Sequence, residues 1–291
     1  MKKFFCFSWL ILIVTSIFVN PAFAQLKVIY PNVNGQGDQS FGYAALKLAL
    51  ENSGTDFELT VSSTLMNNAR TREQIKEKKI SISDFGTSIE FENDLLPIYF
   101  PIDLGLNGWR IFLIHKDKQM EFERIKTIGD LRKKKAGQGI GWSDTAILET
   151  AGLSVYRAND IQNLVKMVEN KRLDFFPLGA NEVHSLLEEY KEGSPNVVVE
   201  PQILLIYPFG RLFFVHRENK ELHHAVQIGL MKAYENGSYW KLFKSHPGND
   251  ALFTKANLKS RTQILIGNSS MTKNFKKIPG KYFFKIEMLS D

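Results

Sequence analysis

The chain has 291 residues, of which 44% are hydrophobic and 23% are charged, and its formal net charge is +6. This is an ordinary globular composition, which argues against a disordered chain, a collagen-like repeat and a multi-span membrane protein. A single cysteine excludes an internal disulfide framework and a cysteine-rich zinc site.

The first 24 residues are predicted to be a secretory signal peptide. Met1-Lys2-Lys3 is a basic start, residues 4–19 are uncharged and mostly apolar, and Ala22-Phe23-Ala24 is a small-x-small end. The apolar run is shorter than the roughly 20 residues of a membrane-spanning helix; a retained anchor is the alternative. Cleavage after Ala24 leaves 267 of the 291 residues, removes Cys6, and lowers the net charge from +6 to +4 because two lysines leave. We therefore expect a cysteine-free periplasmic protein.

Strand-like and helix-like segments alternate along the remaining chain, which predicts an α/β protein. The predicted strands are at residues 26–30, 57–62, 80–85, 108–115, 136–141, 173–176, 197–200, 203–207 and 212–216. The predicted helices are at residues 41–50, 69–78, 127–131, 146–151, 161–170, 180–190 and 221–236. No repeat or low-complexity linker separates these segments, so we expect no flexible tether between domains.

Four motifs occur in an order and spacing that resembles a known family of exported proteins. They are Gly86-Thr87-Ser88 with the following Leu95-Leu96-Pro97-Ile98, Thr127-Ile128-Gly129-Asp130-Leu131, Arg172-Leu173-Asp174-Phe175-Phe176-Pro177, and Asn236-Gly237-Ser238-Tyr239-Trp240-Lys241-Leu242-Phe243. No one motif is specific, and their order over residues 26–246 carries the comparison. On these residues the chain resembles the type 2 periplasmic solute-binding proteins (family 3, amino-acid-receptor-like), and within them a group of exported chains without an assigned ligand.

The resemblance implies a two-lobed α/β fold with a mixed sheet in each lobe and two chain crossings at the hinge. The first crossing is expected near residues 104–110 and the second near residues 206–211. Lobe 1 would then comprise residues 25–108, lobe 2 residues 109–210, and residues 211–291 would return to lobe 1 with a C-terminal tail. The tail, from about residue 251, is expected to pack on lobe 1 or to lie across the hinge. In this family the ligand binds in the cleft, and hinge residues change conformation on closure.

Two positions differ from the amino-acid receptors of this family. Those receptors hold the ligand's α-carboxylate with an arginine three residues after a Ser or Thr of lobe 1. In Ser88-Ile89-Glu90-Phe91 that position is Phe91, and the lobe 2 position of the aspartate that holds the α-amino group is Gly179. Both differences argue against an ordinary amino-acid ligand.

The candidate ligand-binding residues lie at strand ends and helix starts on the cleft side of both lobes. They are Asp84, Gly86, Thr87, Ser88, Arg110, Trp142, Ser143, Asp144, Thr145, Asn181 and Glu182. The segment of residues 143–145 begins a predicted helix, where unpaired N–H groups favour anions, although the Asp144 carboxylate competes with an anionic ligand.

Most of these candidates also have a structural interpretation. Gly86 permits close backbone approach or simply forms a turn. Ser143 and Asp144 contact a ligand, or one of them acts only as an N-cap. Trp142 stacks on a ring or sugar, or packs inside the lobe. Arg110 supplies the missing cation or forms a structural ion pair, and Glu182 binds ligand or favours its helix dipole.

Other motifs lack the spacing that their chemistry requires. The third glycine of Gly137-x-Gly139-x-Gly141 comes one residue early for dinucleotide binding, and residues 141–145 lack the final glycine of a nucleophile elbow. His223 and His224 are adjacent on a helix, with no further ligand to complete a metal site. Basic runs at residues 132–135 and 273–277 are expected to be solvated, or to contact anionic envelope lipids. We therefore expect no cofactor, no metal and no nucleic-acid partner.

The leading hypothesis is a monomeric periplasmic solute-binding protein. It would close two lobes on a small polar solute and present the closed form to an ABC permease or a membrane sensor, without enzymatic activity. One alternative is an exported, dehydratase-like enzyme on the same fold that uses Asp84, Asp144 or Glu182 as acid and base. The other is a ligand-free structural or chaperone-like role in the envelope.

Overall fold

A computed structural model of the chain describes residues 25–33 and 35–290. The predicted signal peptide, residues 1–24, lies outside the described residues. The strands are β1 (Leu26–Val33), β2 (Phe57–Met66), β3 (Ile82–Gly86), β4 (Leu96–Ile98), β5 (Trp109–His115), β6 (Lys135–Gly139), β7 (Ser154–Ala158), β8 (Phe175–Gly179), β9 (Val197–Val199), β10 (Ile203–Ile206), β11 (Arg211–Val215) and β12 (Thr262–Leu265). The helices are α1 (Phe41–Ser53), α2 (Asn68–Lys76), α3 (Ile89–Asp94), α4 (Gln119–Phe122), α5 (Ile128–Leu131), α6 (Thr145–Thr150), α7 (Ile161–Glu169), α8 (Val183–Tyr190), α9 (Lys220–Glu235), α10 (Ser238–Ser245) and α11 (Asp250–Thr254). None of the helices in the described ranges is long and apolar enough to span a membrane.

Two small sheets build lobe 1. β1 and β2 pair in parallel, whereas β3 and β4 both pair antiparallel with β11. The Ser81 N–H, just before β3, donates to the Ile29 carbonyl of β1 at 2.9 Å and links the two sheets. Because β11 lies more than a hundred residues after β3 in the sequence, the chain must leave lobe 1 and return to it.

Helix α1 shows how local sequence and packing agree in lobe 1. The Ser40 hydroxyl accepts the Tyr43 N–H at 3.2 Å and caps the N-terminus, and Gly54 ends the helix in a left-handed conformation. Leu46 and Leu50 lie four residues apart on one face and are fully buried. The helix is therefore fixed by its caps and by one apolar face.

A single mixed sheet builds lobe 2, with strand order β12-β10-β5-β8-β6-β7 and with β9 also paired to β5. β5 runs antiparallel to β8 and β10, while β6 is parallel to β7 and β8. Side chains of a strand alternate between the two faces of a sheet. On β5, Ile111 and Leu113 join the apolar core that continues into lobe 1, whereas Phe112 and Ile114 join a second core on the opposite face.

The C-terminal segment contacts both lobes. β12 pairs in parallel with β10 and so extends the lobe 2 sheet. Beyond β12, the Tyr282 ring packs on Phe100 of lobe 1, and the Phe284 ring lies 5.6 Å from that of Trp109 at the first crossing. We propose the predicted division at residues 108 and 210, with β12 as an additional strand that the tail contributes to lobe 2.

Arg261 fixes the start of β12. Its buried guanidinium donates to the carbonyls of Ala256, Glu200 and Ile203 at 2.7, 2.6 and 3.1 Å. Burial, opposed by the Glu200 carboxylate, lowers the pKa of Arg261 to about 10. The two lobe 2 carbonyls, those of Glu200 and Ile203, therefore hold the tail against lobe 2.

A buried carboxylate connects the two crossings. Asp103 is 3% exposed, and its Oδ1 accepts the N–H of Gly105 at 3.1 Å and that of Arg211 at 2.9 Å, while Oδ2 accepts the N–H of Asn107 at 2.8 Å. Leu104 and Gly105 both have left-handed backbones, with φ of 52° and 78°. This conformation is costly for leucine, and the Asp103 hydrogen bonds compensate for it. Burial raises the pKa of Asp103 although three N–H groups donate to it.

Replacing Asp103 with asparagine is expected to lower the free energy of unfolding by about 1–3 kcal/mol, because the new amide NH₂ faces a backbone N–H donor. Denaturant unfolding of the purified variant measures the change. Asp56→Asn, at an exposed aspartate, is the matched control and should cost less than about 0.5 kcal/mol. Equal stability of the two variants would contradict the role assigned to Asp103.

Candidate functional site

Three side chains of lobe 1 form a tyrosine–aspartate–arginine group, here called the lobe 1 triad. Tyr30 lies on β1, Asp84 on β3, and Arg211 begins β11. The Tyr30 hydroxyl donates to Asp84 Oδ1 at 2.5 Å, and the Arg211 guanidinium forms an ion pair with Asp84 Oδ2. Tyr30 and Asp84 are buried, whereas the Arg211 side chain is 37% exposed. The arginine therefore presents part of its guanidinium outside lobe 1.

Lobe 2 contains a second group of the same composition, here called the lobe 2 triad. Arg110 of β5 forms an ion pair with Asp144, which precedes α6. The Arg110 Nε donates to the Tyr207 hydroxyl oxygen at 2.7 Å, and that hydroxyl donates to Asp144 Oδ2 at 2.8 Å. All three residues are buried. Arg110 thus has the ion-pair role that the sequence left open, inside a closed hydrogen-bonded group.

The two arginines stay charged at neutral pH. Burial lowers the pKa of Arg110, but the Asp144 carboxylate more than reverses this, so the pKa is raised above its ordinary value. The pKa of Arg211 is raised in the same way, because the Asp84 carboxylate outweighs the effect of burial. Each lobe therefore contributes one fixed cation.

The two triad tyrosines remain protonated donors. Burial raises the pKa of Tyr30 well above its ordinary value, and the Asp84 carboxylate raises it further. Burial also raises the pKa of Tyr207; Arg110 opposes this shift and Asp144 adds to it. A neutral phenol beside each carboxylate supplies a hydrogen bond that a phenolate could not supply.

Polar contacts connect the lobes beside the triads. Glu182 Oε1, at the start of α8 in lobe 2, lies 3.6 Å from Arg211 Nη1 of lobe 1. The Ser143 hydroxyl of lobe 2 donates to the Gly86 carbonyl of lobe 1 at 2.8 Å. A Cβ on Gly86 would come within 2.5 Å of the Phe209 ring, so glycine is required for this close approach.

Unpaired amide oxygens surround Gly179, the second position that differs from the amino-acid receptors. A Cβ there would lie 2.9 Å from Asn181 Oδ1, 3.1 Å from Asn107 Oδ1 and 3.2 Å from Glu182 Oε2. Both amide oxygens are buried and have no hydrogen-bond partner within the described part of the chain. The Asn181 Nδ2 donates to Asn249 Oδ1 of the C-terminal region at 3.3 Å. The space between the lobes therefore contains acceptors that need a donor.

Thr87 and Ser88 have structural partners inside lobe 1. The Thr87 hydroxyl donates to Glu92 Oε1 at 2.6 Å. The Ser88 hydroxyl accepts the Phe91 N–H at 3.2 Å and caps α3. Neither hydroxyl joins the triads, and a ligand contact for these two residues stays a prediction.

Trp142 and Thr145 lie on the lobe 2 side of the site. The Trp142 ring stacks on Phe176 with centroids 6.0 Å apart, which is the packing role that the sequence allowed. Asp144 stands at the N-cap of α6 but makes no capping bond with its side chain, because its carboxylate is held by the lobe 2 triad. The Thr145 hydroxyl is buried without a hydrogen-bond partner among residues 25–33 and 35–290.

Phe91 belongs to the core of lobe 1. Its ring lies 5.4 Å from that of Phe85 and 6.2 Å from that of Phe214, and the Arg72 guanidinium lies 4.7 Å from its centroid. The position that carries the ligand-binding arginine in the amino-acid receptors is therefore occupied by a packed aromatic ring.

Sequence reasoning missed three triad residues, Tyr30, Tyr207 and Arg211. The sequence contains one shared pattern at the two crossings. An arginine lies two residues after a glycine in Gly108-Trp109-Arg110 and directly after one in Gly210-Arg211. Each tyrosine ends an apolar run, at Val28-Ile29-Tyr30 and at Leu205-Ile206-Tyr207. Within the described ranges, no three His, Cys, Asp or Glu side chains are placed to hold a metal ion.

Comparison with solved structures identifies the fold. An amino acid ABC transporter substrate-binding protein from Streptococcus pneumoniae bound to L-arginine is 14% identical, with a TM-score of 0.54 over 78% of this chain and 95% of that chain. An ancestral arginine-binding protein bound to arginine is 16% identical, with a TM-score of 0.53 over 77% and 98%. A histidine kinase sensor domain with similarity to periplasmic binding proteins is 11% identical, with a TM-score of 0.56 over 77% and 96%.

The chain therefore has the two-lobed α/β fold of the type 2 periplasmic binding proteins, as the resemblance predicted. At these identities the comparison shows the fold alone. No protein-family model matches the sequence. No curated protein matches it either.

Asp144→Ala is expected to lower the free energy of unfolding by about 3–5 kcal/mol, because it leaves the buried Arg110 guanidinium without its carboxylate. The matched control is Glu149→Ala, which removes the exposed ion pair with Arg157 and should cost less than about 1 kcal/mol. Urea unfolding measures both. Similar losses in the two variants would contradict a buried, structural lobe 2 triad.

Stability is expected to fall as the pH rises above 10, because the buried phenols keep protons that the unfolded chain loses. Each such phenol contributes a slope of about 1.4 kcal/mol per pH unit. Tyr207→Phe and Tyr30→Phe should each reduce this slope, since each removes one buried phenol. The free energy of unfolding at pH 9, 10 and 11 provides the test, and an unchanged slope in both triad variants would be the contrary result.

Proposed function

We propose that the chain is a periplasmic solute-binding protein that closes its two lobes on a small polar solute. The observation that carries this proposal is the approach of Glu182 in lobe 2 to Arg211 in lobe 1. This approach places charged groups of both lobes where a solute bound between the lobes would contact them. The predicted signal peptide and the shared fold support the proposal.

The charges between the lobes favour a solute with a positive group. The cluster contains two guanidinium groups, those of Arg110 and Arg211, and three carboxyl groups, those of Asp84, Asp144 and Glu182. Two of the carboxylates are matched within the triads, and the third, Glu182, raises the pKa of both arginines. A cationic or zwitterionic solute complements the extra carboxylate, and its N–H groups suit the unpaired oxygens of Asn107 and Asn181.

The same geometry supports a ligand other than an ordinary amino acid. Phe91 is packed in the lobe 1 core, and the neighbours of Gly179 fill the space that the receptors' aspartate needs. The cation of lobe 1 comes instead from Arg211, at the start of β11. A ligand carboxylate bound there would have to share Arg211 with Asp84.

Solute binding would work by a shift of population. A solute that touches both lobes only when they are closed favours the closed state by the difference in its affinity for the two states. We propose a monomer that presents this state to an ABC permease or a membrane sensor. No enzymatic step is required, because Asp84 and Asp144 are each held by an arginine and a tyrosine donor as fixed acceptors.

The proposal predicts that a small cationic or zwitterionic solute stabilises the purified mature chain, residues 25–291. A solute at 100 times its Kd adds about 2.7 kcal/mol, and a chain of this size gains about 2–4 °C in Tm per kcal/mol. A thermal-shift panel of diamines, betaines, amino acids and small peptides, followed by calorimetric titration of the hits, measures this effect.

Two cleft variants make the test specific to the site. Glu182→Gln and Arg211→Gln should each remove the shift, since they delete the two groups that meet across the lobes. Arg157→Gln, which breaks an exposed ion pair of lobe 2, should keep it. If no solute stabilises the wild-type chain, or if all three variants respond alike, the proposed function is wrong.

A further inference from the structure

An apolar cavity lies next to the charged cluster, where the two crossings meet the C-terminal segment. We call it the hinge cavity, and its volume is about 500 Å³. The crossings contribute Trp109, Ile206 and Phe209 to its wall, and the C-terminal segment contributes Leu265, Ile278 and Phe283. This volume lies within the range of about 300–1,000 Å³ that small-molecule sites occupy.

The wall of the hinge cavity is apolar except at one place. Of the described residues that line it, Lys276 alone carries a charge. Its side chain is exposed, and no carboxylate among residues 25–33 and 35–290 forms an ion pair with it. Tyr207 also lines the cavity, but its hydroxyl is already hydrogen-bonded to Arg110 and Asp144. The cavity therefore offers apolar surface and one free ammonium group.

The apolar surface at its mouth is not covered by the chain itself. Leu265 lies on β12 with 70% of its surface exposed, although it lines the cavity. Half-buried Trp109 and Phe283 line the same cavity, so its mouth presents apolar side chains to a ligand. A ligand that covers it gains about fourfold in affinity per buried CH₂ group.

We propose that the hinge cavity binds a single-chain anionic amphiphile, with its hydrocarbon chain against the apolar wall and its head group at Lys276. The charge of Lys276 selects an anionic head, and the apolar side chains among the described lining residues select a hydrocarbon body. The cavity differs in chemistry from the polar cluster, so this site is additional to the solute site. Free carboxylates and lysophospholipids share this chemistry.

The test is calorimetric titration of the mature chain with dodecanoate and, separately, with lauroyl-lysophosphatidylglycerol, both below the concentration at which they form micelles. The site is expected to bind one molecule of at least one of them, and the better ligand identifies its source. Dodecyltrimethylammonium, with the same chain and the opposite charge, is expected to bind at least about tenfold more weakly. Equal binding of the cation, or no binding of either anion, overturns the proposal.

Matched variants locate the site. Leu265→Asp should weaken binding at least about tenfold, while Gln263→Asp, two residues earlier on the same exposed face of β12, should not. Lys276→Gln should weaken binding about fivefold, and the neighbouring Lys277→Gln should have no effect. All four positions are exposed or at the mouth, so the variants are expected to fold, which circular dichroism checks. If the control of either pair loses affinity as much as its partner, the amphiphile binds elsewhere and the proposal fails.

Discussion

The Asp103 carboxylate fixes the relation between the two crossings on which the rest of the molecule depends. It accepts two N–H groups from the first crossing and the N–H of Arg211 from the second. Arg211 is the residue that pairs with Asp84 and reaches Glu182. One buried side chain therefore sets both the turn out of lobe 1 and the position of its only triad cation. The three hydrogen bonds of Asp103 fix the backbone on both sides. Any backbone rotation that accompanies closure of the lobes therefore has to occur at the residues next to these bonds.

The two triads place charged groups in the protein interior, where ion pairing alone is a weak source of stability. Burying a paired arginine and aspartate often gains nothing over an apolar pair of the same size. Each triad nevertheless adds a tyrosine hydroxyl that donates to the carboxylate, and Arg211 of the lobe 1 triad reaches the surface between the lobes. Fixed cations and acceptors at that surface are suited to recognising a polar solute, because they do not have to reorganise when it binds.

Some of this structure follows from local sequence, and some depends on contacts that local sequence does not contain. Helix α1 and strand β5 are encoded locally, and both are found where the sequence predicts a helix at residues 41–50 and a strand at residues 108–115. Arg110 and Asp144 were candidates individually, but their pairing spans 34 residues and requires the sheet order. Tyr207 joins them from 63 residues beyond Asp144, which no periodicity indicates. Strand β12 has four residues and is held by Arg261 and by its pairing to β10 rather than by its own pattern.

The hinge cavity and the charged cluster are physically connected because two side chains belong to both. Tyr207 lines the cavity while its hydroxyl holds Asp144, and Phe209 lines it while its ring lies 5.9 Å from the Arg110 guanidinium and against Gly86. A molecule in the cavity therefore presses on the same residues that position the lobe 2 cation and the contact between the lobes. If the two lobes move relative to each other when a solute binds, the wall formed by residues 206–209 has to move too. An amphiphile that prefers one arrangement of the second crossing then changes the affinity for the solute. By thermodynamic linkage, the solute changes the affinity for the amphiphile by the same factor.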